Sequence, residues 1–182
     1  MSVGLLVVGA PRGAAADLET LLSVLPAHLP APVVVALHRG PHDRLVEPLG
    51  RRCALPVVEP DDKDDLVPGR VYLAPWGYHL LVDRGSVSLS VEPPEHGCRP
   101  AIDALFESAA DSHGAAAAGL LFGGHDDGLT GLGLLQARGG RVALVGGEDV
   151  ELFDAEVERL SLGDVGGWLA RLAYVSRGRV QP

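Results

Sequence analysis

Four short aliphatic runs, separated by stretches of helical period, constrain this chain more than any other feature. They are Leu5-Leu6-Val7-Val8, Val33-Val34-Val35-Ala36-Leu37, Gly119 to Gly123, and Arg141 to Val145. A run that stays apolar at successive positions predicts a strand covered on both faces, the situation of a parallel sheet. Between the first two runs, Leu18, Leu21, Leu22 and Leu25 recur at i, i+3, i+4 and i+7, with Asp17 placed to cap and Pro26 and Pro30 to stop the helix. The spacing predicts an amphipathic helix. Strand and helix alternate in this way four times, so the expected fold class is α/β. Its form is a three-layer, doubly wound, mostly parallel sheet with helices on both faces.

Other segments fill in this frame. A short helix is expected from about Asp43 to Cys53, and the acidic run Asp61-Asp62-Lys63-Asp64-Asp65 reads as a solvated turn. Val71 to Pro75, His79 to Val82 and Ser86 to Val91 are expected to form a small hairpin-rich insert, with turns at Trp76-Gly77 and Arg84-Gly85. Pro100 suits the first turn of a third helix beginning near Arg99 and carrying Ile102, Leu105, Phe106 and Ala109 on one face. A further helix runs through Leu132, Leu135 and Gln136 and closes at Gly139-Gly140. Asp149 to Ser161 and Gly166 to Val175 are expected to be helical, the latter docking through Trp168, Leu169, Leu172 and Ala173, while Gly178 to Pro182 frays. The chain has 182 residues, so residues 1–182 are expected to form one domain.

Charge and cysteine usage narrow the function classes. A formal net charge of -9 opposes a sequence-independent grip on phosphate backbones, so nucleic acid is not an expected partner. The first apolar run stops at Gly9, too short to enter a membrane, and membrane insertion is not expected. Cys53 and Cys98 form neither a disulfide framework nor a zinc spacing, which fits a reducing cytoplasm.

The chemistry-bearing residues sit just after strands. Gly9-Ala10-Pro11-Arg12-Gly13, His38-Arg39-Gly40-Pro41 and Gly124-His125-Asp126-Asp127-Gly128 all leave strand ends at the edge of an open α/β sheet where ligands gather. A nucleophile, a His and an Asp delivered by three such loops would make the arrangement of acyl transfer, in which the carboxylate orients the imidazole and the imidazole takes the proton. His38, His42, His125, Asp126 and Asp127 lack the sharp spacing of a metal motif, and no metal is expected. The first loop lacks the G-x-G-x-x-G spacing, and His38 stands where a ribose-binding acid would be needed, so a dinucleotide is not expected either.

In chain order, Gly9-Ala10-x-x-Gly13, His38 with Pro41, Pro68-Gly69-Arg70-Val71-Tyr72-Leu73-Ala74-Pro75 with His79, Arg99-Pro100-x-x-Asp103-x-Leu105-Phe106, and Gly123-x-x-x-Asp127-Gly128-x-x-Gly131 resemble the catalytic domain of the CheB-type protein-glutamate methylesterases. The resemblance runs from Leu5 to about Val145. It implies removal of methyl esters from chemoreceptor glutamates, often with glutamine deamidation, by a Ser-His-Asp triad that needs no cofactor or metal. A chemoreceptor-like or other signalling protein is the implied partner. By position, His38 matches the general base and Asp127 its orienting carboxylate; Arg12, Arg99, Gly124 and His125 are the substrate-binding candidates, with surface ion pairing the other reading of Arg12 and Arg99 unless they face the cleft, where Arg suits carboxylate recognition.

The departures from the family pattern are as informative. The serine position falls on Pro11, the neighbouring threonine on Arg12, two pocket positions on Gly124 and His125, and the late Gly-Met-Pro segment on Asp154-Ala155-Glu156. Proline has no hydroxyl to attack a carbonyl and no N–H to donate to an oxyanion. Loss of a triad nucleophile costs about 10⁶ in turnover in other serine hydrolases. The expectation is therefore a methylesterase-like binding or regulatory module with impaired or absent catalysis, in which the His38–Asp127 bond serves loop structure. The alternative is an active ester or amide hydrolase using Cys98, which precedes a helix start, or a metal-bound water. A receiver domain usually precedes this domain in the family, and none is expected within this chain.

Overall fold

The computed structural model describes residues 3–123, 127–147 and 157–174, with nothing described of the side chains of Ala173 and Tyr174. Seven strands form one sheet: β1 (Leu5–Ala10), β2 (Val33–Leu37), β3 (Val57–Val58), β4 (Val71–Leu73), β7 (Ala117–Phe122), β8 (Arg141–Val145) and β9 (Glu158–Leu160). Their order is β3-β4-β2-β1-β7-β8-β9, and each adjacent pair is parallel. A separate antiparallel hairpin joins β5 (His79–Val82) to β6 (Val87–Ser90). The chain builds outward from β1 through β2 and then returns to β7 on the other side of β1. That reversal makes a crevice at the carboxyl ends of β1, β2 and β7, the position where open α/β sheets hold their ligands.

Alternation along β1 shows why its run is apolar throughout. Leu6, Val8 and Ala10 face one core, with Leu18, Leu21 and Leu22 of α1 (Ala15–Ser23) and Trp168, Leu169 and Leu172 of α5 (Val165–Tyr174). Leu5 and Val7 face the other, with Ile102, Leu105 and Phe106 of α3 (Ile102–His113), Leu132 and Leu135 of α4 (Leu129–Ala137), and Leu80 of the hairpin. Full burial of each such side chain contributes about 1.5–3 kcal/mol. Both faces being covered, a polar residue anywhere along β1 would lie in apolar surroundings.

Several sequence expectations need correction. Val71 to Leu73 is not part of the insert but pairs with β2 and β3 in the main sheet. The second helix, α2, spans only Val46–Gly50, because Asp43 is tied back to the preceding loop: its carboxylate accepts the Gly40 N–H at 2.6 Å and its carbonyl accepts from Arg39. Asp17 is not a cap, since α1 begins after Ala14 with no side-chain cap and Asp17 lies in the first turn. Pro100 precedes the N-cap residue Ala101 rather than lying inside α3. Glu158–Leu160 forms edge strand β9 in place of the end of a helix. Asp149 to Glu156 and Gly178 to Pro182 lie outside the described residues. The acidic run is the exposed turn expected, with the Asp61 N–H donating to Asp64 Oδ2 at 2.9 Å.

Candidate functional site

The register of the central strands places the candidate residues side by side. Ala10 of β1 pairs with Leu37 of β2, so the residues that follow, Pro11 and His38, leave the sheet at the same level. The His38 N–H donates to the Ala10 carbonyl at 3.0 Å, which extends the ladder by one step and fixes where the imidazole starts. On the other side Gly9 pairs with Leu121 of β7, and the chain reaches Asp127 a few residues beyond that strand.

His38 and Asp127 meet. The Nε2–Oδ2 distance is 2.6 Å, with the two side chains 12% and 2% exposed. The carboxylate accepts two further bonds, from the Ile102 N–H to Oδ2 at 2.7 Å and from the Asp103 N–H to Oδ1 at 2.8 Å. These are the unpaired donors of the first turn of α3, a place where a negative charge is favoured. α3 has no side-chain cap of its own, so Asp127 takes that role from 25 residues away. Two glycines permit the approach. A Cβ on Gly9 would lie 2.3 Å from Ile102 Cγ2, and one on Gly128 would lie 2.8 Å from the same atom, at a φ of +107° that side chains rarely adopt.

Burial pushes the Asp127 carboxyl up, but the His38 bond, the two backbone bonds and the His38 charge together outweigh it, so the group stays below the usual carboxylate value. An ionised carboxylate only accepts, so the nitrogen facing it, His38 Nε2, carries a proton, and in the neutral imidazole Nδ1 keeps its lone pair. The pair can therefore orient an imidazole and accept a proton at Nδ1. No described hydroxyl or thiol is hydrogen-bonded to the His38 ring.

Around His38 lies a cleft of about 220 Å³, lined among others by Arg12, Arg39, Trp76, Cys98 and Arg99. Three of the residues singled out from sequence, Arg12, His38 and Arg99, thus share one cleft with Cys98. Gly124 and His125 lie outside the described residues. The Cys98 thiol is pushed up, by burial first and by the Asp127 charge second, with Arg12 pulling weakly the other way. A thiol so held is largely protonated and a weak nucleophile. A larger groove of about 930 Å³ lies at the opposite edge of the sheet, near Gly140 and Arg141 where β8 begins, away from His38.

Sequence reasoning missed several supporting groups. Asp103, 3% exposed, accepts the Gly131 N–H on Oδ1 at 2.7 Å and meets His96 Nε2 through Oδ2 at 3.1 Å, a second His–Asp pair behind the first. His79, 1% exposed, donates from Nε2 to the Pro93 carbonyl and accepts the Ala101 N–H on Nδ1, pinning the entry to α3. His96, Asp103 and Asp127 bring one donor atom each within 4.8 Å of one another, the described group with a metal-like constellation. Each carboxylate oxygen there is already engaged by an N–H or a histidine nitrogen. The motif containing Asp103 was visible in the sequence; its partners come from other segments.

A doubly wound parallel α/β protein with a buried His–Asp pair at its switch point is the class that this geometry defines. The CheB methylesterase profile matches residues 6–154, and the chain belongs to that family. It is 33% identical over 149 residues to the protein-glutamate methylesterase/protein-glutamine glutaminase of Trichodesmium erythraeum, covering 78% of this chain and 42% of the relative. It is 41% identical over 145 residues to protein-glutamate methylesterase/protein-glutamine glutaminase 5 of Myxococcus xanthus, covering 76% and 42%. The crystal structure of the Thermotoga maritima CheB methylesterase catalytic domain superposes with a TM-score of 0.83 at 26% identity, covering 94% of this chain and all of that one. The chain thus spans about two-fifths of the length of those two curated relatives. Among the described residues, no helix is long and apolar enough to cross a membrane.

Proposed function

We propose that this domain is a protein-glutamate methylesterase-like module of a chemosensory system, acting in the cytoplasm on a signalling protein, with catalysis impaired or absent. The observation that carries this reading is the pairing of an intact His38–Asp127 bond of 2.6 Å with a proline next to it at the end of β1. Positional correspondence with the family puts the nucleophilic serine at Pro11, His38 as general base and Asp127 as its orienting carboxylate. An imidazole oriented at its Nε2 has a lone pair to take a proton, but Pro11 offers none to give. Free cysteines Cys53 and Cys98 and the acidic net charge support a reducing compartment and a protein rather than a nucleic-acid partner. Arg12 and Arg99 form walls of the recognition cleft in this reading, and Gly124 and His125 are assigned to it by correspondence alone.

Cys98 is the one described thiol in the cleft with His38, which favours it over a metal-bound water as a substitute nucleophile. Its raised pKa weighs against it. The decisive assay is hydrolysis of methylated receptor glutamates by the purified chain. The expected result is no turnover above background, and none lost on Cys98→Ala. Serine-hydrolase-like turnover abolished by His38→Ala would overturn the proposal.

A further inference from the structure

The cleft beside His38 is lined by basic side chains in a chain of acidic net charge. The chain has a net charge of -9, with 24 acidic residues against 15 basic. Yet among the described residues the cleft is lined by three arginines and no acidic side chain. Arg39 is partly neutralised by its ion pair with Glu59. Arg99 has no carboxylate partner among the described residues; its Nη1 donates to the carbonyls of Val91 and Glu92 at 2.9 and 3.0 Å. Arg12 makes no hydrogen bond or ion pair with any described residue. The Nε atoms of Arg39 and Arg99 are both buried and have no hydrogen-bond partner among the described residues.

Size and rim limit what could enter. About 220 Å³ is below the range of drug-sized or cofactor pockets, about 300–1,000 Å³, and suits a single side chain. The rim carries Trp76, 49% exposed, and the same turn presents Tyr78, 40% exposed. Its backbone is anchored to the cleft by the Gly77 N–H donating to the Arg99 carbonyl at 3.4 Å. Exposed aromatics beside a small charged pocket are features of a surface that anchors a protein segment.

We propose that this cleft binds the free carboxylate of a glutamate side chain on a partner protein in preference to its methyl ester or amide, so that the domain reads the demethylated state rather than producing it. The proposal rests on the pseudoenzyme reading and deepens it. A guanidinium fork pairs with a carboxylate through two parallel, charge-assisted bonds, whereas a neutral ester offers one weak acceptor and leaves the cation uncompensated. A working esterase gains nothing from binding its acidic product tightly, because such binding does not stabilise the transition state and retards release. A chain with no nucleophile is free of that restriction, and Arg12 stands beside the position where the nucleophile would be.

The test is calorimetric titration of the purified chain with three short peptides that differ only at one residue: glutamate, glutamate γ-methyl ester and glutamine. The expected result is binding of the glutamate peptide at least about tenfold tighter than either neutral peptide, the scale of one charged hydrogen bond. Arg12→Ala should erase that difference and Arg12→Lys should keep part of it, with circular dichroism confirming the fold of both. Equal affinity for the three peptides, a preference for a neutral one, no binding of any, or an undiminished preference in Arg12→Ala would each overturn the inference. Inorganic phosphate and acetate, titrated separately, should bind more weakly than the glutamate peptide; a free anion that binds more tightly would show a small-anion site instead. Methanol release from the ester peptide is followed in the same mixtures. Turnover would sink the pseudoenzyme reading whatever the affinities, while equal affinity without turnover would sink only the carboxylate preference.

Discussion

The two halves of the cleft are held by different means. On one side, Asp127 is bonded to His38, Ile102 and Asp103, so the imidazole is locked to the start of α3 and through it to the core. On the other, Pro11 and Arg12 occupy a loop whose described internal bond is the Ala14 N–H to the Pro11 carbonyl at 3.1 Å, and Arg12 is exposed and makes no hydrogen bond or ion pair with any described residue. A His–Asp pair that also caps a helix is retained by stability alone. A loop that stabilises little can change its residues without unfolding the domain. The difference teaches that the His38–Asp127 side of the cleft is tied into the fold by its own hydrogen bonds, whereas the loop carrying Pro11 and Arg12 is not.

On that contrast, the largest effect in the site belongs to Asp127→Ala. Removing the carboxylate strands two buried N–H donors at the head of α3 and the imidazole of His38, at about 1–3 kcal/mol for each unsatisfied group. The expected loss is roughly 2–5 kcal/mol, read as a lower urea midpoint at unchanged slope. A loss under about 0.5 kcal/mol would place Asp127 among ordinary surface positions and break the comparison.

Acid should reveal the same coupling. The Asp127 carboxyl titrates lower in the folded chain than in the unfolded one, so the unfolded chain takes up the proton first as pH falls. The stability it contributes is fully present above the unfolded carboxyl value of about 3.9 and is lost as pH drops through the lower folded value. Glu107 works in the opposite sense: burial first, then the charges of Asp103, Glu95 and Asp111, raise its carboxyl. The measurement is therefore the difference in unfolding free energy between the native chain and Asp127→Asn. That difference should shrink between about pH 5 and about pH 2. A difference independent of pH would mean that the cap does not depend on charge.

Which parts of this were legible beforehand follows from how local the signals are. β1, β2, β7 and β8 announce themselves because burial on both faces demands unbroken apolar runs, and His38 because it ends one of them. Val57–Val58 is too short to carry a period, and two of the three residues of Glu158–Leu160 are exposed, so both edge strands are silent in the sequence. Val71–Leu73 looks like the hairpin strands that follow it; only pairing with β2, 38 residues away at Val33↔Val71, separates them. In the site, His38 and Asp127 follow from position after strands. The support from Asp103 and His79, and the walls contributed by Arg39 and Trp76, depend on contacts between distant segments, which no local pattern encodes.

The smallest expected effect on stability, and the sharpest probe of the loop half, is Pro11→Ser. Proline restricts the unfolded chain, so its replacement where the fold accepts either residue should cost about 0.4–1 kcal/mol, far less than the loss of Asp127. Register places position 11 level with position 38, and no described group is hydrogen-bonded to the Nδ1 that would take the new hydroxyl's proton. A nucleophile and base are still not a complete site. The guanidinium of Arg12 stands next to position 11 and the cleft is lined by Arg12, Arg39 and Arg99, so under the proposal above it should hold a carboxylate better than the ester to be attacked. By the family resemblance, the threonine near the oxyanion site falls on Arg12; loss of a single oxyanion donor costs about 10²–10³ in turnover, so Pro11→Ser should hydrolyse methylated glutamate at least about 100-fold more slowly than an intact relative. Adding Arg12→Thr should then raise the rate further. Full activity from Pro11→Ser alone would mean that the loop half never diverged beyond one residue, and the contrast between the two halves would reduce to a single missing hydroxyl.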